Sequence, residues 1–426
     1  MGSLFWFVIV GSSLFVLIAL MLVSFILAVK GVFVSHEQCL IQINHNPELT
    51  KKTFTGQSLL EALAQQGIAL PSPCGGKATC KQCKIRILKG GGDLLETDRS
   101  TFTLPELKKG WRLSCQCKVK GDLDIEIPES LLEQKIDQAI VISNCHIATF
   151  IKELTIEVKE KINYRPGEYF QFHVPSYQTC SMAWKKDMNE HISATWGKFG
   201  LFHHTINFKE EENEVVRAYS MASYPAEGKK LKFNVRIALP PLKKGKISTS
   251  IPWGIASSYL FSLNPQDQVK ISGPFGSSHM IDDERELIFL IGGAGSSFAR
   301  SHILDLFKTK HTKRQTTLWY GARSLCENIY QEEYEALAKE FDHFKYHLVL
   351  SEPTEEDINQ GWPLDDPIRT NHVFKAFEQG QLKKMEEPEN CLYYVCGPPL
   401  HNQSVLKLLD DYGVLKDSIV LDDFGS

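Results

Sequence analysis

The period of hydrophobic and polar positions changes along the chain, and each change marks a new element type. Leu4–Val29 reads "LFWFVIVGSSLFVLIALMLVSFILAV", an apolar run without a charged residue. About 20 apolar residues cross the hydrocarbon core of a bilayer, so the run predicts one membrane-spanning helix. A cleaved signal peptide would show a shorter apolar core, a basic start and a small-residue cleavage site, and none is present. After it, "CLIQIN" alternates as a strand, and "SLLEALAQQG" has helical spacing with Ser58 as N-cap and Gly67 as terminator. "KIRIL" and "LDIEI" alternate again, which together predicts a β-grasp unit. The runs "ELTIEV", "EYFQFHV", "LKFNVRIAL" and "QVKISGPFG" are separated by turn residues, as in an antiparallel β-barrel. "ELIFLIGGAGSSFARSHILDLF" is a buried parallel-type strand, a glycine turn and a helix. The expected fold is multidomain, α+β and α/β: an anchor over 1–35, a β-grasp domain over 36–130, a barrel over 131–280 and a parallel-sheet domain over 281–426. Residues 176–216, rich in His, Trp and Lys, interrupt the barrel pattern and read equally as a docking insertion or a loop.

Charge gives the chain an orientation. No Lys or Arg precedes the apolar run, whereas Lys30, Lys51 and Lys52 follow it. The positive-inside tendency then places everything after Lys30 in the cytoplasm. Eleven cysteines, an odd number spread over 426 residues, fit a reducing compartment better than a disulfide framework. The net charge of −4 argues against nucleic acid as a partner.

The cysteines carry the first candidate chemistry. "PCGGKATCKQC" gives Cys74-x5-Cys80-x2-Cys83, and "RLSCQC" adds Cys115 and Cys117 further on. Three ligands on one loop and a distant fourth suit a 2Fe-2S cluster, while a zinc ribbon usually presents two close pairs. Zinc or ordinary buried thiols remain the alternatives. Gly75 and Gly76 would let backbone N–H groups approach the sulfurs. Cys115 and Cys117 are expected to leave one strand in opposite directions, so that only one meets the cluster; Cys115 is the candidate.

Family resemblance adds to these patterns. The cysteine spacing resembles that of adrenodoxin-like and oxygenase-reductase ferredoxins. "RAYSMASYP" resembles the R-x-Y-S signature of the ferredoxin–NADP reductase superfamily. That resemblance implies Arg217 on the FAD pyrophosphate, Tyr219 stacked on the flavin and Ser220 near its reactive nitrogen. "GIASSYLFSL" resembles the Gly-x-x-Ser segment at which a helix start meets FAD, through Gly254, Ala256 and Ser257. The glycines Gly292, Gly293 and Gly295 would cradle a nicotinamide dinucleotide. "YGARS" supplies Arg323, and "YYVCGPPLHN" supplies Cys396 and Gly397 beside the nicotinamide. Phe298 stands where that family has a proline. Phe424, in the tail "LDDFGS", is the candidate flavin cover.

The order helix, ferredoxin, FAD barrel, nicotinamide domain resembles the F subunits of bacterial Na⁺-translocating NADH:quinone oxidoreductases as a family. The resemblance implies that hydride passes from NADH to FAD and that single electrons then leave through the cluster. Their destination would be partner membrane subunits that reduce quinone and move Na⁺ at the bacterial inner membrane. A soluble oxygenase reductase and a membrane-tethered, non-enzymatic metal-binding module are the rival readings.

Overall fold

The computed structural model describes residues 2–33, 37–132, 134, 136–209, 215–243, 246–248 and 251–423. The chain divides into two compact units, Met1–Leu70 with Cys83–Leu132, and Pro71–Gln82 with Glu133–Ser426.

The first unit begins with the helix Gly2–Phe33. Its described side chains, Trp6 and residues 10–24, are all exposed. Among the described residues, no helix is long and apolar enough to cross a membrane. A five-stranded sheet follows, in the order Asn46–Phe54, Gln38–Ile43, Leu123–Glu126, Lys84–Lys89, Trp111–Leu113. The helix Leu59–Gln65 starts on a reciprocal cap: Ser58 Oγ accepts from the Glu61 N–H, and the Glu61 carboxylate accepts from the Ser58 N–H at 2.8 Å. Its Leu59, Ala62 and Leu63 bury against Ile41, Ile43, Ile85 and Ile125. Each large aliphatic side chain so buried contributes roughly 1.5–3 kcal/mol. The buried pair Arg112–Asp98, at 2.7 Å, fixes the approach to the fourth cysteine, because Asp98 also accepts from the Leu113 N–H at 3.0 Å.

The second unit contains a six-stranded antiparallel sheet, ordered Val215–Ser220, Tyr169–Val174, Gln268–Phe275, Ile136–Ala148, Ile151–Val158, Lys230–Arg236. A bridge between Met221 and Phe233 joins the two ends of that order, so the sheet curls on itself around Phe172, Phe233, Leu154 and Ile156. The helix Ile255–Ser262 closes one end. Asn144 on the sheet donates to Leu260 O at 2.8 Å and Leu263 O at 2.9 Å, satisfying carbonyls at that helix's end.

The interrupting segment is part of this core. It forms a hairpin of Tyr177–Cys180 with Thr205–Phe208 and a helix Glu190–Lys198, N-capped by Asn189. Trp184 and Trp196 are fully buried and meet edge-to-face at 5.9 Å. Tryptophans inside a polar stretch are what anchor it.

The rest of the second unit is a five-stranded parallel sheet ordered Phe344–Leu350, Thr316–Ala322, Leu287–Gly292, Leu392–Cys396, Ile419–Asp422. Every residue of the central strand Leu287–Gly292 is buried, which is why it reads as a continuous apolar run. Strand order reverses between Leu287–Gly292 and Leu392–Cys396. In open parallel sheets, ligands bind in the crevice at the carboxyl ends of such a pair.

Candidate functional site

A cleft of about 1130 Å³ in the second unit gathers most of the candidate residues onto its walls: Arg217, Tyr219 and Ser220; Gly254, Ala256 and Ser257; Gly292, Gly293 and Gly295; Arg323; and Gly397. The barrel strand Val215–Ser220 carries the first three, and Phe172 packs edge-on to the Tyr219 ring at 5.6 Å, fixing its plane. Burial pushes the Tyr219 phenol above its usual range, so the ring is a neutral platform.

The second group opens the helix Ile255–Ser262, with Gly254 as its N-cap. A Cβ at Gly254 would lie 2.5 Å from Ala238 Cβ, so only glycine admits the close approach of these chains. Ser257 Oγ is engaged locally: it accepts from the Ala238 N–H at 3.1 Å and donates to Gly254 O at 3.1 Å. The backbone of the helix start, rather than this hydroxyl, is left to face an anion.

The third and fifth groups meet across the sheet crevice. A Cβ at Gly295 would lie 2.4 Å from Cys396 O, and one at Gly397 would lie 2.6 Å from His401 Cδ2. Cys396 itself is fully buried behind this wall and does not line the cleft. Burial, with Asp422 and Asp423 nearby, pushes its thiol up and keeps it protonated. Phe298, in the place of the expected proline, turns inward and packs on His302 at 4.4 Å. Arg323 lies over the Phe150 ring at 5.3 Å and pairs with Glu327 at 3.3 Å. Phe424 lies outside the described residues.

The cysteines fall into two pairs. In the second unit, Cys74 and Cys80 bring their sulfurs within 3.2 Å. The Cys80 S–H donates to Cys74, which pulls the Cys74 thiol down to about 4 and pushes the Cys80 thiol up. In the first unit, Cys83 faces Cys115, and their contact together with burial pushes the Cys83 thiol up. Among the described residues, no group of three or more His, Cys, Asp or Glu could hold a metal ion. Each iron of a 2Fe-2S cluster takes two protein donors, and each pair taken by itself supplies two thiols. Positive φ at Gly75, Gly76, Ala78 and Lys81 winds the loop between the ligands.

The expected strand through Cys115 and Cys117 is corrected. The strand ends at Leu113, and a turn follows. Residues two apart on a strand share a face; the turn is what separates these two. Cys117 is buried elsewhere, with its thiol 3.7 Å from Gly91 O.

Asp422 is among the residues near the cleft that escaped the sequence reading. Ser220 Oγ donates to Asp422 Oδ2 at 2.8 Å, across 202 positions of sequence. Its signal was the acidic pair before Phe424. Burial, reinforced by Asp423, raises the Asp422 carboxyl to about 6. Folding therefore takes up a proton between the ordinary carboxylate range and pH 6. This destabilising contribution is absent below about pH 4 and grows as the pH rises through 6. Asp422→Asn is expected to stabilise the flavin-free protein by roughly 2–3 kcal/mol at pH 8 and by little at pH 4. Thermal unfolding across that range measures it, and a pH-independent difference would assign the effect to packing.

Comparison with known proteins agrees with this geometry. Residues 43–120 match the 2Fe-2S iron-sulfur cluster binding domain, 186–280 the oxidoreductase FAD-binding domain and 289–405 the oxidoreductase NAD-binding domain. The F subunit of the Na(+)-translocating NADH-quinone reductase of Chlamydia pneumoniae is 55% identical over 99% of this chain and 98% of its own length. The chain belongs to the family of these F subunits. A family member from Marinomonas sp. (strain MWYL1) is 42% identical over 98% of both chains. In fold, the family member described here is similar to the ferredoxin reductase in carbazole 1,9a-dioxygenase, with a TM-score of 0.56, 19% identity, and coverage of 92% of this chain and 99% of that one. FAD, NAD and 2Fe-2S domains thus occur in one chain, as the family resemblance implied.

Proposed function

We propose that this chain is the electron-input component of a multi-subunit membrane quinone reductase, oxidising NADH and delivering single electrons to partner subunits that reduce quinone and move Na⁺. The observation that carries the reading is the shared cleft. Flavin-type and nucleotide-type motifs face one space, and Pro73, the neighbour of Cys74, lines that same space. FAD, when bound there, accepts the hydride, and a 2Fe-2S cluster carries electrons one at a time.

The side chains divide the work. Arg217 offers a guanidinium fork to the FAD pyrophosphate, and Tyr219 offers a ring face to the flavin. The helix start at Gly254, Ala256 and Ser257 presents backbone N–H groups to phosphate. Gly292, Gly293, Gly295 and Gly397 let the dinucleotide lie against the sheet crevice. Arg323, held by Glu327, borders the ribose end. Cys396 packs behind the nicotinamide, and Phe424 is the proposed flavin cover. Ser220 and Asp422 hold a proton between them beside the reacting atoms. Cys74 with Cys80, and Cys83 with Cys115, are the proposed iron ligands.

The helix Gly2–Phe33 is the proposed single-pass anchor in a bacterial inner membrane, with the later domains in the cytoplasm. Its support is the charge-free run Leu4–Val29, the exposure of every described apolar side chain on it and the lysines that follow.

The deciding experiment is an absorption spectrum of the membrane-purified protein. Flavin and iron–sulfur bands that bleach on adding NADH support the proposal, and a colourless, zinc-containing preparation overturns it.

A further inference from the structure

A chain of buried polar groups crosses between the barrel and the parallel-sheet part of the second unit. Ser296 opens the helix Ser296–Leu304, directly after the glycine turn, and its Oγ lies 2.9 Å from the Asn234 amide. Asn234 sits on the barrel strand Lys230–Arg236 and lines the cleft. The other end of its amide lies 2.7 Å from Tyr330 Oη, which is also 2.7 Å from Glu153 Oε2. Glu153 belongs to the barrel strand Ile151–Val158 and faces Lys232 at 3.5 Å. Tyr330 is held in the left-handed region, at φ 62°, with the Arg300 guanidinium 5.0 Å above its ring. Asn234 and Ser296 are buried, so an unmet donor or acceptor here would cost free energy.

The hydrogens must be shared out consistently. Tyr330 has one hydroxyl proton, and a carboxylate only accepts. An amide oxygen facing Tyr330 would leave two acceptors competing for that proton. The two ends of an amide have the same shape, so its neighbours decide which end faces which. We infer that the Asn234 NH₂ faces Tyr330 and its oxygen faces Ser296, giving a one-way chain: Ser296 donates to Asn234, Asn234 to Tyr330, and Tyr330 to the Glu153 carboxylate. The chain ties Ser296, at the helix start beside the glycine turn, to the barrel at Asn234, and Tyr330 to it at Asn234 and Glu153. Asn234 and Tyr330 are therefore positioning residues for hydride transfer, setting how the bound nicotinamide meets the flavin. This rests on the reading of the cleft given above.

The test inverts the chain. Asn234→Asp keeps the shape but removes the amide that donates to Tyr330, which has no other hydrogen-bond donor among the described residues. Adding Glu153→Gln restores a donor at the far end, so that both bonds at Tyr330 form in the opposite direction while Ser296 still donates to position 234. In full-length, FAD-loaded protein, bleaching of the flavin by NADH and by 4-deuterated NADH is followed in stopped flow. The single variant is expected to slow flavin reduction by roughly 10–100-fold at saturating NADH. The deuterium effect should persist and FAD content should stay unchanged. The double variant is expected to recover most of that loss. A single variant at the wild-type rate, or a double variant as slow as the single one, overturns the inference. Should the single variant fail to fold, recovery of folded, FAD-loaded protein in the double variant supports the chain, and its absence overturns it. Bleaching of the wild-type protein reports separately on the site itself.

Discussion

Cys80→Ala is expected to strip the protein of iron and acid-labile sulfide while leaving NADH oxidation by ferricyanide close to the wild-type rate. Cys80 is half of one thiol pair, with its sulfur 3.2 Å from that of Cys74. Without it, one iron of a four-thiolate cluster would lack a ligand. Ferricyanide can draw electrons from a flavin in an open cleft, so that activity need not pass the cysteines. Electron delivery to quinone in membranes should fall to background. Cys117→Ala is the matched control. Cys117 is buried against Gly91 and should cost stability but no iron. Undiminished iron in Cys80→Ala would remove it from the ligand set.

Gly295→Ala should damage the nucleotide side as sharply. The added Cβ would lie 2.4 Å from Cys396 O and 3.1 Å from Cys396 Sγ. Cys396 ends a strand hydrogen-bonded on both sides, to Leu287–Gly292 and to Ile419–Asp422, so its carbonyl has little room to retreat. Overpacking of this kind costs roughly 1–3 kcal/mol. A displacement of about 1 Å at the nicotinamide would slow flavin reduction roughly 100-fold. Stopped-flow bleaching by NADH measures it, and unchanged kinetics would show that the crevice yields. Gly121→Ala, where a Cβ meets nothing within 4 Å and φ is not positive, separates the local effect from general loss of glycine.

What could be read from sequence followed from local backbone need. Gly254 and Gly295 mark places where two segments nearly touch and a larger residue does not fit, so the requirement shows as a letter in the text. The parallel strand Leu287–Gly292 announces itself because both of its faces are covered. Asn234 and Tyr330 gave no such sign, and Asp422 gave only that of its acidic neighbour. Their partners lie 62, 96 and 202 positions away, and an isolated Asn, Tyr or Asp is ordinary surface material until the fold brings its partner. The polar stretch around residue 190 misled for a related reason. Its charges describe the outer face, while Trp184 and Trp196 decide where it goes. For Cys115 and Cys117, a strand was assumed where a turn is needed, and only the turn parts them.

The tryptophans that pin the interrupting segment have an optical consequence. Trp184 lies 5.9 Å from Trp196 and 5.8 Å from Trp253, and Trp253 lines the cleft. Excitation shared within this trio would have a flavin acceptor in the cleft that Trp253 lines when FAD fills that space. The protein therefore carries an internal gauge, dim when loaded and bright when empty, that follows cofactor exchange without any added label.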